Sequence, residues 1–529
     1  MRSYLLILLC FGLLFMTACD DWDEDWDDFD DETAVSLNQD PADNEWDDEW
    51  DEDWDDEWDE DDGETAVSPN QAPPVASAND SGRFQDADCP FPVPGGHTID
   101  CGYLIVPENR SRNNSRLIQL AVAIVRAPRS SQQPPVLYLA GGPGSSALDE
   151  FLGDPEGWNY PFLQTRDLIL LDQRGTGYSF PTLDCPELAD ADFTAGNPER
   201  DCHSRLRAEG IDLTAYNSAE NGADVADLRR ALGYDEWDLL GISYGTRLAL
   251  VVMRDQPQGI RSVVLDSPFP PNANTPVDEA LNTWESLQTL FADCQADAYC
   301  RQNYPNLERV FLDAVAELND QPAGDLFGDD FFFAITQALN DTGSIPLLPW
   351  VIYAVSDGNY DALDEIASGE GFGRRYQDEP DRSDSEGMYN SVICRDEYAF
   401  GVYEEAEAAL TAVAPPEIEA ALLQGVSELF QTCAYWGAGR AAPIEDAAVR
   451  SDIPTLILVG QYDHATPPKW GYLTAETLSR AYLYDFPGGG HSLISSGDCA
   501  VDLITQFYNN PLTAPNGRCV DEIEWPYFE

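Results

Sequence analysis

The chain has 529 residues, with 97 acidic side chains against 28 basic ones and a net charge of −69. Such a charge repels nucleic acid and anionic lipid, so the sequence excludes both as binding partners of the protein surface. The length exceeds that of a usual single domain and indicates one large domain with an insertion, or two domains, together with tails.

The first 19 residues are typical of a secretion signal. Arg2 precedes an apolar stretch, residues 3–17, that is too short to span a bilayer comfortably. Its end, Met16-Thr17-Ala18-Cys19, resembles the lipobox of bacterial lipoproteins, in which the cysteine is lipidated and becomes the new N-terminus. An ordinary signal peptide cut nearby is the alternative. We therefore expect export to the bacterial cell envelope, with a lipidated Cys19 as the attachment to the outer face of the membrane.

Residues 20–82 predict an extended, disordered spacer. Between Asp20 and Glu64 the chain is strongly acidic, contains six tryptophans and lacks Lys, Arg and His, so self-repulsion opposes collapse. The octapeptide at 32–39 returns at 64–71 with one change, which indicates a copied low-complexity segment. A calcium-binding loop is the alternative, but an EF-hand loop requires a glycine inside its acidic run, and these runs contain none before Gly63 at their end.

From residue 83 the composition becomes that of a folded domain. Two apolar runs joined by a polar loop, 103–106 and 117–125, indicate a hairpin, and residues 225–232 have helical spacing that ends at Gly233. Six further short apolar runs alternate with polar or helical segments, at 136–140, 168–171, 239–242, 263–265, 455–459 and 482–486. This alternation predicts an α/β fold with a mostly parallel sheet covered by helices on both faces.

Residues 269–452 interrupt this series of strands. They hold mainly amphipathic helical sequence and no strand series of their own. The sequence therefore predicts a helical cap at 269–452 inserted between two parts of the sheet domain, 83–268 and 453–529.

The cysteines indicate disulfide bonds rather than a metal site. Removal of Cys10 with the signal and assignment of Cys19 to lipid leaves ten, an even set in an exported chain. Spacing along the chain favours five pairs without proving them: Cys89–Cys101, Cys185–Cys202, Cys294–Cys300, Cys394–Cys433 and Cys499–Cys519. Zinc is the alternative, but no Cys-x-x-Cys motif and no histidine pair at ligand spacing occurs, so we expect no metal and no cofactor.

The pentapeptide Gly-Ile-Ser-Tyr-Gly at 241–245 is the centre of the predicted chemistry. It follows the apolar run Trp237-Asp238-Leu239-Leu240 and precedes a helix face, so Ser243 lies on a sharp strand-to-helix turn. Such a turn exposes the hydroxyl, and the helix N-terminus behind it offers free N–H groups. A serine needs a base, an acid that orients the base, and donors for the oxyanion before it can act as a nucleophile.

The base and the acid follow from order along the chain. The sequence has four histidines, His97, His203, His464 and His491. In serine hydrolases built on such a sheet the order is serine, acid, histidine, which excludes the first two. His491 lies in a glycine loop just beyond the last apolar run, and Asp463 follows the run at 455–459. We predict the triad Ser243, Asp463 and His491, with His464 as the competing base.

The oxyanion donors are predicted on two loops. The run at 136–140 leads into Gly141-Gly142-Pro143-Gly144, whose backbone can approach a substrate closely. The N–H groups of Gly142 and Tyr244 are the expected donors. A phosphate-binding loop is the alternative, but its lysine is missing.

Taken together, five motifs resemble the α/β-hydrolases of the prolyl aminopeptidase and tripeptidyl aminopeptidase group over residues 85–525. They are Gly-Gly-Pro-Gly at 141–144, Asp-Gln-Arg-Gly-Thr-Gly-Tyr-Ser at 172–179, Gly-Ile-Ser-Tyr-Gly at 241–245, Asp463 followed by Thr466-Pro467, and Gly-His-Ser at 490–492. Ala140 departs from the group, in which a histidine often opens the glycine loop. The resemblance implies an α/β-hydrolase fold and an exopeptidase that acts on free N-termini through an acyl-enzyme on Ser243.

Two alternatives to an exopeptidase stay open. One is a general carboxylesterase of the same fold, and the other is an inactive, surface-tethered binding protein. Peptides or small esters are the expected substrates, and the sequence does not predict an oligomeric state.

An exopeptidase must recognise the substrate ammonium, and a carboxylate in the insertion is suited to pair with it. The block at 392–397 resembles the insertion of the same group, and Cys394 is expected to anchor it. We therefore hypothesise that Asp396 or Glu397 binds the substrate amine.

Overall fold

The computed structural model describes residues 81–528 except 130–131, 156, 189–196 and 368–381. The predicted signal with Cys19, and all but the last two residues of the predicted spacer, lie outside these residues. The predictions for the signal, for lipidation and for the spacer therefore stay predictions.

One nine-stranded sheet carries the fold. Its strands are β1 (Arg83–Ala87), β2 (Ile99–Pro107), β3 (Leu117–Val125), β4 (Val136–Leu139), β5 (Leu168–Leu171), β6 (Trp237–Ile242), β7 (Ile260–Asp266), β8 (Thr455–Gly460) and β9 (Ala481–Phe486). The order across the sheet is β1-β2-β3-β5-β4-β6-β7-β8-β9. Strands β5, β4 and β6 to β9 run parallel, whereas β1 to β3 pair antiparallel and β3 is antiparallel to β5. This arrangement confirms the predicted mostly parallel sheet.

Strand β1 was not among the predicted strands. It pairs antiparallel with β2, with Gln85 opposite Tyr103. Its sequence, Arg-Phe-Gln-Asp-Ala, has no apolar run, because an edge strand is half exposed and needs little apolar surface.

In the part of the chain that the structure describes, four helices precede the insertion: α1 (Ala147–Gly153), α2 (Pro198–Ala208), α3 (Ser218–Leu232) and α4 (Tyr244–Asp255). Helix α3 contains the predicted run at 225–232. Asn217 caps its first turn by accepting a hydrogen bond from the N–H of Glu220, and Gly233 ends it with a φ of 76°.

The described part of the segment between β7 and β8 is helical and contains no strand of the sheet. Its helices are α5 (Thr275–Ala296), α6 (Ala298–Asn303), α7 (Leu307–Asp320), α8 (Gly328–Ala338), α9 (Leu348–Ser356), α10 (Asp364–Ala367), α11 (Glu386–Ile393), α12 (Tyr403–Thr411) and α13 (Pro416–Trp436). A π-helical turn, Cys394–Tyr398, continues α11. Most apolar side chains of these helices form their own cluster, but Met388 and Trp436 pack in the cluster of the sheet. The exact domain boundaries stay predictions.

After β8 the chain forms α14 (Pro468–Ala475), the last strand β9, and then α15 (Asp498–Asn509) and α16 (Arg518–Asp521). Short 3₁₀ turns occur elsewhere, at Pro161–Gln164, Pro186–Leu188, Leu213–Ala215, Ile345–Leu347, Tyr360–Leu363 and Leu493–Ser495.

The two faces of the sheet bury different clusters because neighbouring strand residues point in opposite directions. Leu137 of β4 belongs to a cluster with Val225 of α3 and Leu248 of α4. Its neighbour Tyr138 belongs to the opposite cluster, with side chains of α1 and α15 such as Phe507. Helices therefore cover both faces, and the carboxyl edge of the parallel strands stays available for a site.

Among the described residues five disulfides occur, and they are the five pairs that spacing favoured: Cys89–Cys101, Cys185–Cys202, Cys294–Cys300, Cys394–Cys433 and Cys499–Cys519. Among the described helices, none has the length and apolar character needed to cross a membrane.

Candidate active site

Ser243 occupies the turn between β6 and α4 in a strained backbone conformation. Its φ of 54° and ψ of −125° lie in a region that non-glycine residues rarely adopt. A methyl group on Gly245 would lie 1.9 Å from the carbonyl oxygen of Leu139, and one on Gly241 would lie 2.5 Å from the carbonyl oxygen of Gly245. Both glycines are therefore required for this turn, as the pentapeptide predicts.

Asp463 and His491 are joined by a hydrogen bond of 2.9 Å between Oδ2 and Nδ1. Asp463 lies in the turn after β8, which ends at Gly460, and is fully buried, while the His491 side chain is 19% exposed. Thr466 holds the carboxylate from its other side, with its N–H 2.7 Å from Oδ1 and its hydroxyl 2.8 Å from Oδ2. The Thr466 hydroxyl also lies 3.2 Å from His491 Nδ1. The structure thus brings the predicted acid and base together, and the bracing by Thr466 is an addition to the prediction.

The surroundings of His491 make it a stronger base than an ordinary histidine. Desolvation lowers its pKa, but the charge of Asp463 and the hydrogen bond to it more than offset this, so the net shift is upward. Since Nδ1 faces the carboxylate, Nε2 is the nitrogen left to exchange a proton with a hydroxyl.

Asp266, at the end of β7, links the serine turn to the histidine loop. Its carbonyl oxygen accepts the N–H of Ser243 at 3.1 Å. Its fully buried carboxylate accepts the N–H groups of Leu493 and Ile494 at 2.9 and 2.8 Å. Burial raises the pKa of Asp266 to about 6, and the two N–H donors oppose that rise. Because β7 lies between β6 and β8, Asp266 fixes the two loops on either side of it.

The glycine loop lies beside the serine. A methyl group on Gly141 would lie 3.2 Å from Cβ and 3.7 Å from Oγ of Ser243. Gly142 has a φ of 96°, which a residue with a side chain rarely adopts. Within the described part of the chain, no acceptor is hydrogen-bonded to the N–H of Gly142 or of Tyr244. Both predicted oxyanion donors are therefore free to bind an oxygen atom.

The motif at 172–179 supports this loop instead of contributing chemistry. The Asp172 carboxylate accepts the hydroxyl of Ser146 at 2.9 Å and the N–H of Leu148 at 3.0 Å, at the start of α1. Gln173 donates its amide to the carbonyl oxygen of Ala140 at 3.1 Å. This bond braces the loop at the position where relatives often have a histidine.

The insertion contacts the site at two places. On one side, the carbonyl oxygen of Gly144 accepts the N–H of Ser385 at 3.0 Å. On the other side, the carbonyl oxygen of Asn340 accepts the N–H of His491 at 2.8 Å, and the hydroxyl of Thr342 accepts the N–H of Gly490 at 3.0 Å. These contacts join residues about 150 or more positions apart, and spacing along the chain gives no signal for them.

His464, the competing base, has a different environment. It is half-buried, and its Nδ1 lies 3.4 Å from the hydroxyl of Thr283. Desolvation lowers its pKa to about 4, so it is a weak base near neutral pH. This environment favours His491 over His464 as the general base.

Asp396 and Glu397, the hypothesised amine-binding residues, are buried and already have protein partners. Asp396 accepts the N–H of Ser218 at 3.0 Å and a guanidinium N–H of Arg395 at 2.6 Å. Glu397 forms an ion pair with Arg247, and burial raises its pKa to about 8. An incoming ammonium would have to compete with two arginines, which sequence spacing could not reveal. The amine-binding role of this pair stays a prediction.

One group with possible metal-ligand spacing occurs among the described residues, formed by Cys185, Glu187 and Cys202. The two cysteines form a disulfide, so their sulfurs are not thiolate ligands. This group does not fit a metal ion.

Comparisons with known proteins agree with this geometry. Residues 134–298 match the alpha/beta hydrolase fold family, and residues 422–519 match the TAP-like protein family. The chain is similar to the serine protease Hip1 of Mycobacterium tuberculosis (strain ATCC 25618 / H37Rv), with 26% identity over 80% of this chain and 87% of the relative. It is also similar to the tripeptidyl aminopeptidase of Streptomyces lividans, with 28% identity over 46% of this chain and 49% of the relative.

A third relative is the proline iminopeptidase of Heyndrickxia coagulans, with 31% identity over 25% of this chain and 35% of the relative. All three names describe peptide-cleaving enzymes. The two family matches include the serine turn and the C-terminal part of the sheet. The chain therefore has an α/β-hydrolase fold with a TAP-like C-terminal region and is a serine hydrolase.

Proposed function

We propose that the protein is an exported serine exopeptidase that releases residues or short peptides from free N-termini through an acyl-enzyme on Ser243. The observation that carries this proposal is the 2.9 Å hydrogen bond between Asp463 and His491 at the sheet edge that also bears the serine turn. The names of the relatives, a serine protease, a tripeptidyl aminopeptidase and a proline iminopeptidase, support peptide substrates.

In the proposed reaction, the Ser243 hydroxyl attacks the scissile carbonyl carbon while His491 Nε2 takes its proton. Asp463 keeps the imidazole in the required tautomer and stabilises the imidazolium. The oxyanion accepts hydrogen bonds from the N–H groups of Gly142 and Tyr244. The imidazolium then gives its proton to the leaving amine, and an acyl-enzyme forms. A water molecule, deprotonated by His491, attacks the ester and releases the N-terminal fragment.

The proposed location is the bacterial cell envelope. Five disulfides are typical of a protein that matures in an oxidising compartment. The predicted signal at 1–19 supports export, and Cys19 is the proposed site of lipidation. Mass spectrometry of the mature N-terminus from a bacterial host tests this: a diacylated Cys19 supports anchoring, whereas an unmodified N-terminus contradicts it.

Labelling with a fluorophosphonate probe tests the nucleophile and the base. Wild-type protein should carry one probe molecule on Ser243, located by peptide mass spectrometry, and Ser243→Ala should carry none. His491→Ala should lose labelling, whereas His464→Ala should retain it. Loss with His464→Ala but not with His491→Ala would reverse the assignment of the base.

Product analysis with unblocked peptides of five to eight residues tests the reaction. We expect fragments released in order from the N-terminus, and no cleavage by Ser243→Ala. Labelling at Ser243 together with hydrolysis of esters but not of peptides would instead identify a carboxylesterase. A folded protein that does not label would identify an inactive binding protein.

A further inference from the structure

Helix α5 carries a stripe of polar side chains on the face that it buries. The stripe consists of side chains at helical i, i+3 and i+4 spacing, namely Thr275, Glu279, Asn282, Thr283 and Ser286. All of them except Glu279 are buried. A helix that faces an apolar core buries an apolar stripe, so a buried polar stripe needs polar partners or a polar ligand.

The stripe lies between the two halves of the candidate active site. On one side, Thr283 contacts His464, the residue next to Asp463. On the other side, Glu279 faces Tyr389, whose pKa is raised by burial and then by the charge of Glu279. Tyr389 lies one helical turn after Ser385, the residue that is hydrogen-bonded to Gly144 of the glycine loop. The stripe therefore lies near His464 on the acid side and near helix α11, whose N-cap Ser385 is bonded to the oxyanion loop.

Glu279 is an accessible carboxylate without a cationic partner. Its residue is exposed to solvent, and within the described residues no arginine, lysine or histidine forms an ion pair with it. Desolvation by the surrounding protein raises the pKa of its carboxyl group to about 7.

Two buried groups beside Glu279 lack hydrogen-bond partners. Asn282 is 1% exposed, and neither its amide oxygen nor its amide nitrogen has a partner in the described part of the chain. Tyr398 is 4% exposed and lies close enough to Glu279 to lower the pKa of the carboxyl group, yet its hydroxyl has no partner of hydrogen-bond geometry among the described residues. Unpaired buried polar groups are costly unless a ligand satisfies them.

We propose that Glu279 binds the free α-ammonium group of the peptide substrate, with Asn282 and Tyr398 completing the site. The inference rests on the proposed exopeptidase function and names the group that recognises its substrate. The ammonium has three N–H donors, and the Glu279 carboxylate, the Asn282 carbonyl and the Tyr398 hydroxyl offer three oxygen acceptors. Glu279 differs in this respect from Asp396 and Glu397, whose carboxyl groups already pair with Arg395 and Arg247.

The test is the ratio of kcat/KM for a free peptide to kcat/KM for the same peptide with an acetylated N-terminus. Active enzyme is counted by fluorophosphonate titration, so folding losses cancel. We expect wild type to prefer the free peptide and Glu279→Gln to lower the ratio about 10- to 100-fold, since a charge-assisted hydrogen bond is replaced by a neutral one. Glu285→Gln is the matched control on the same helix, because Glu285 is exposed and its one ion pair among the described residues is with the exposed Lys469.

The outcomes distinguish the role of Glu279 from the proposed exopeptidase function. A wild-type enzyme that prefers the free peptide, together with an unchanged ratio in Glu279→Gln, overturns the role of Glu279 and leaves the exopeptidase standing. Equal turnover of free and acetylated peptides by wild type overturns the exopeptidase itself. A fall of the ratio in Asp396→Asn or Glu397→Gln, without a fall in Glu279→Gln, assigns the amine to that earlier pair.

A measurement on wild type alone keeps the inference testable if the variant does not fold. Below its pKa of about 7 the Glu279 carboxyl group is neutral, so the ratio should rise as pH increases from 5.5 to 7.5. The peptide α-amino group stays charged up to about pH 7.7 to 8.0. Titration of His491 affects both substrates and cancels in the ratio. The neighbouring Tyr389 and Tyr398 titrate far above this range and His464 below it. Burial raises the pKa of Glu397 to about 8, so the rise should also occur in Glu397→Gln. A flat ratio would contradict the inference.

Discussion

Asp463→Asn is the substitution that tests the candidate site most directly, because it changes one charge and almost no volume. The Asp463 carboxylate accepts three hydrogen bonds, from the N–H of Thr466 at 2.7 Å, from its hydroxyl at 2.8 Å and from His491 Nδ1 at 2.9 Å. An asparagine can keep its carbonyl oxygen on the Thr466 N–H. Its NH₂ group then points toward His491 Nδ1 and donates to it. The proton of the imidazole is thereby moved to Nε2, which can no longer accept the proton of Ser243.

The expected loss in kcat is on the order of 10⁴-fold, the size found when a triad carboxylate is replaced by its amide and the histidine adopts the wrong tautomer. The pH profile should shift as well. Desolvation lowers the pKa of His491 and Asp463 raises it, so removal of the Asp463 charge lets the pKa fall. Catalysis needs neutral His491, so the acid limb of kcat/KM should move to lower pH in the variant, even though its maximum is far smaller.

The assay is hydrolysis of a peptide p-nitroanilide between pH 5 and 9, with the labelling rate of the fluorophosphonate probe as a second readout. Asp485→Asn serves as the matched control, since Asp485 is an exposed carboxylate on β9 that accepts the Tyr472 hydroxyl at 2.6 Å. The control should retain wild-type rates. A loss of less than about tenfold in Asp463→Asn would refute the proposed pairing, because a tautomer change cannot be so mild. An acid limb that does not move would refute the electrostatic argument.

Two further predictions concern stability. A methyl group on Gly460 would lie 1.9 Å from the carbonyl oxygen of Gly490. Gly460→Ala should therefore lower the free energy of unfolding by about 1–3 kcal/mol and lower kcat by displacing the histidine loop. Unchanged urea unfolding and an unchanged kcat would contradict this. The bridge Cys394–Cys433 spans 39 residues, and loop closure on that scale stabilises the folded protein by about 4 kcal/mol. The variant with both cysteines replaced by alanine should therefore lose that much free energy of unfolding in urea. An unchanged urea midpoint would disprove the expectation.

Most of the sheet could be predicted from the sequence because its strands are buried on both faces. Strand β8, for example, has six consecutive buried residues, and a continuous apolar run of that length is the signal of a buried parallel strand. Strand β1 gives no such signal, since only its pairing with β2 makes it a strand. Local periodicity thus identifies the strands that carry the core and misses an edge strand that is held by its neighbour.

The site was predictable where its residues lie just after strands. Ser243 and Asp463 each lie in the turn after a strand, so parallel neighbours bring them to one edge. Asp266 also ends a strand, but nothing in its spacing indicates that its carboxylate binds the loop after His491. Arg247 gives no signal either. The sequence alone does not show whether a basic residue inside α4 faces solvent or pairs with Glu397. Contacts between distant segments decide both cases.

The insertion is part of the active-site structure and not merely a cover over it. Ser385 is hydrogen-bonded to Gly144 of the glycine loop, and Asn340 is hydrogen-bonded to the N–H of His491. The same segment therefore holds both the loop that offers an oxyanion donor and the loop that carries the base. A methyl group on Gly144 would lie 2.6 Å from the carbonyl oxygen of Ser385, and one on Gly490 would lie 2.4 Å from that of Asn340, so both contacts are tight. Since tight contacts couple the positions of the groups that make them, a movement of the insertion would alter the geometry of the base and of the oxyanion donors together.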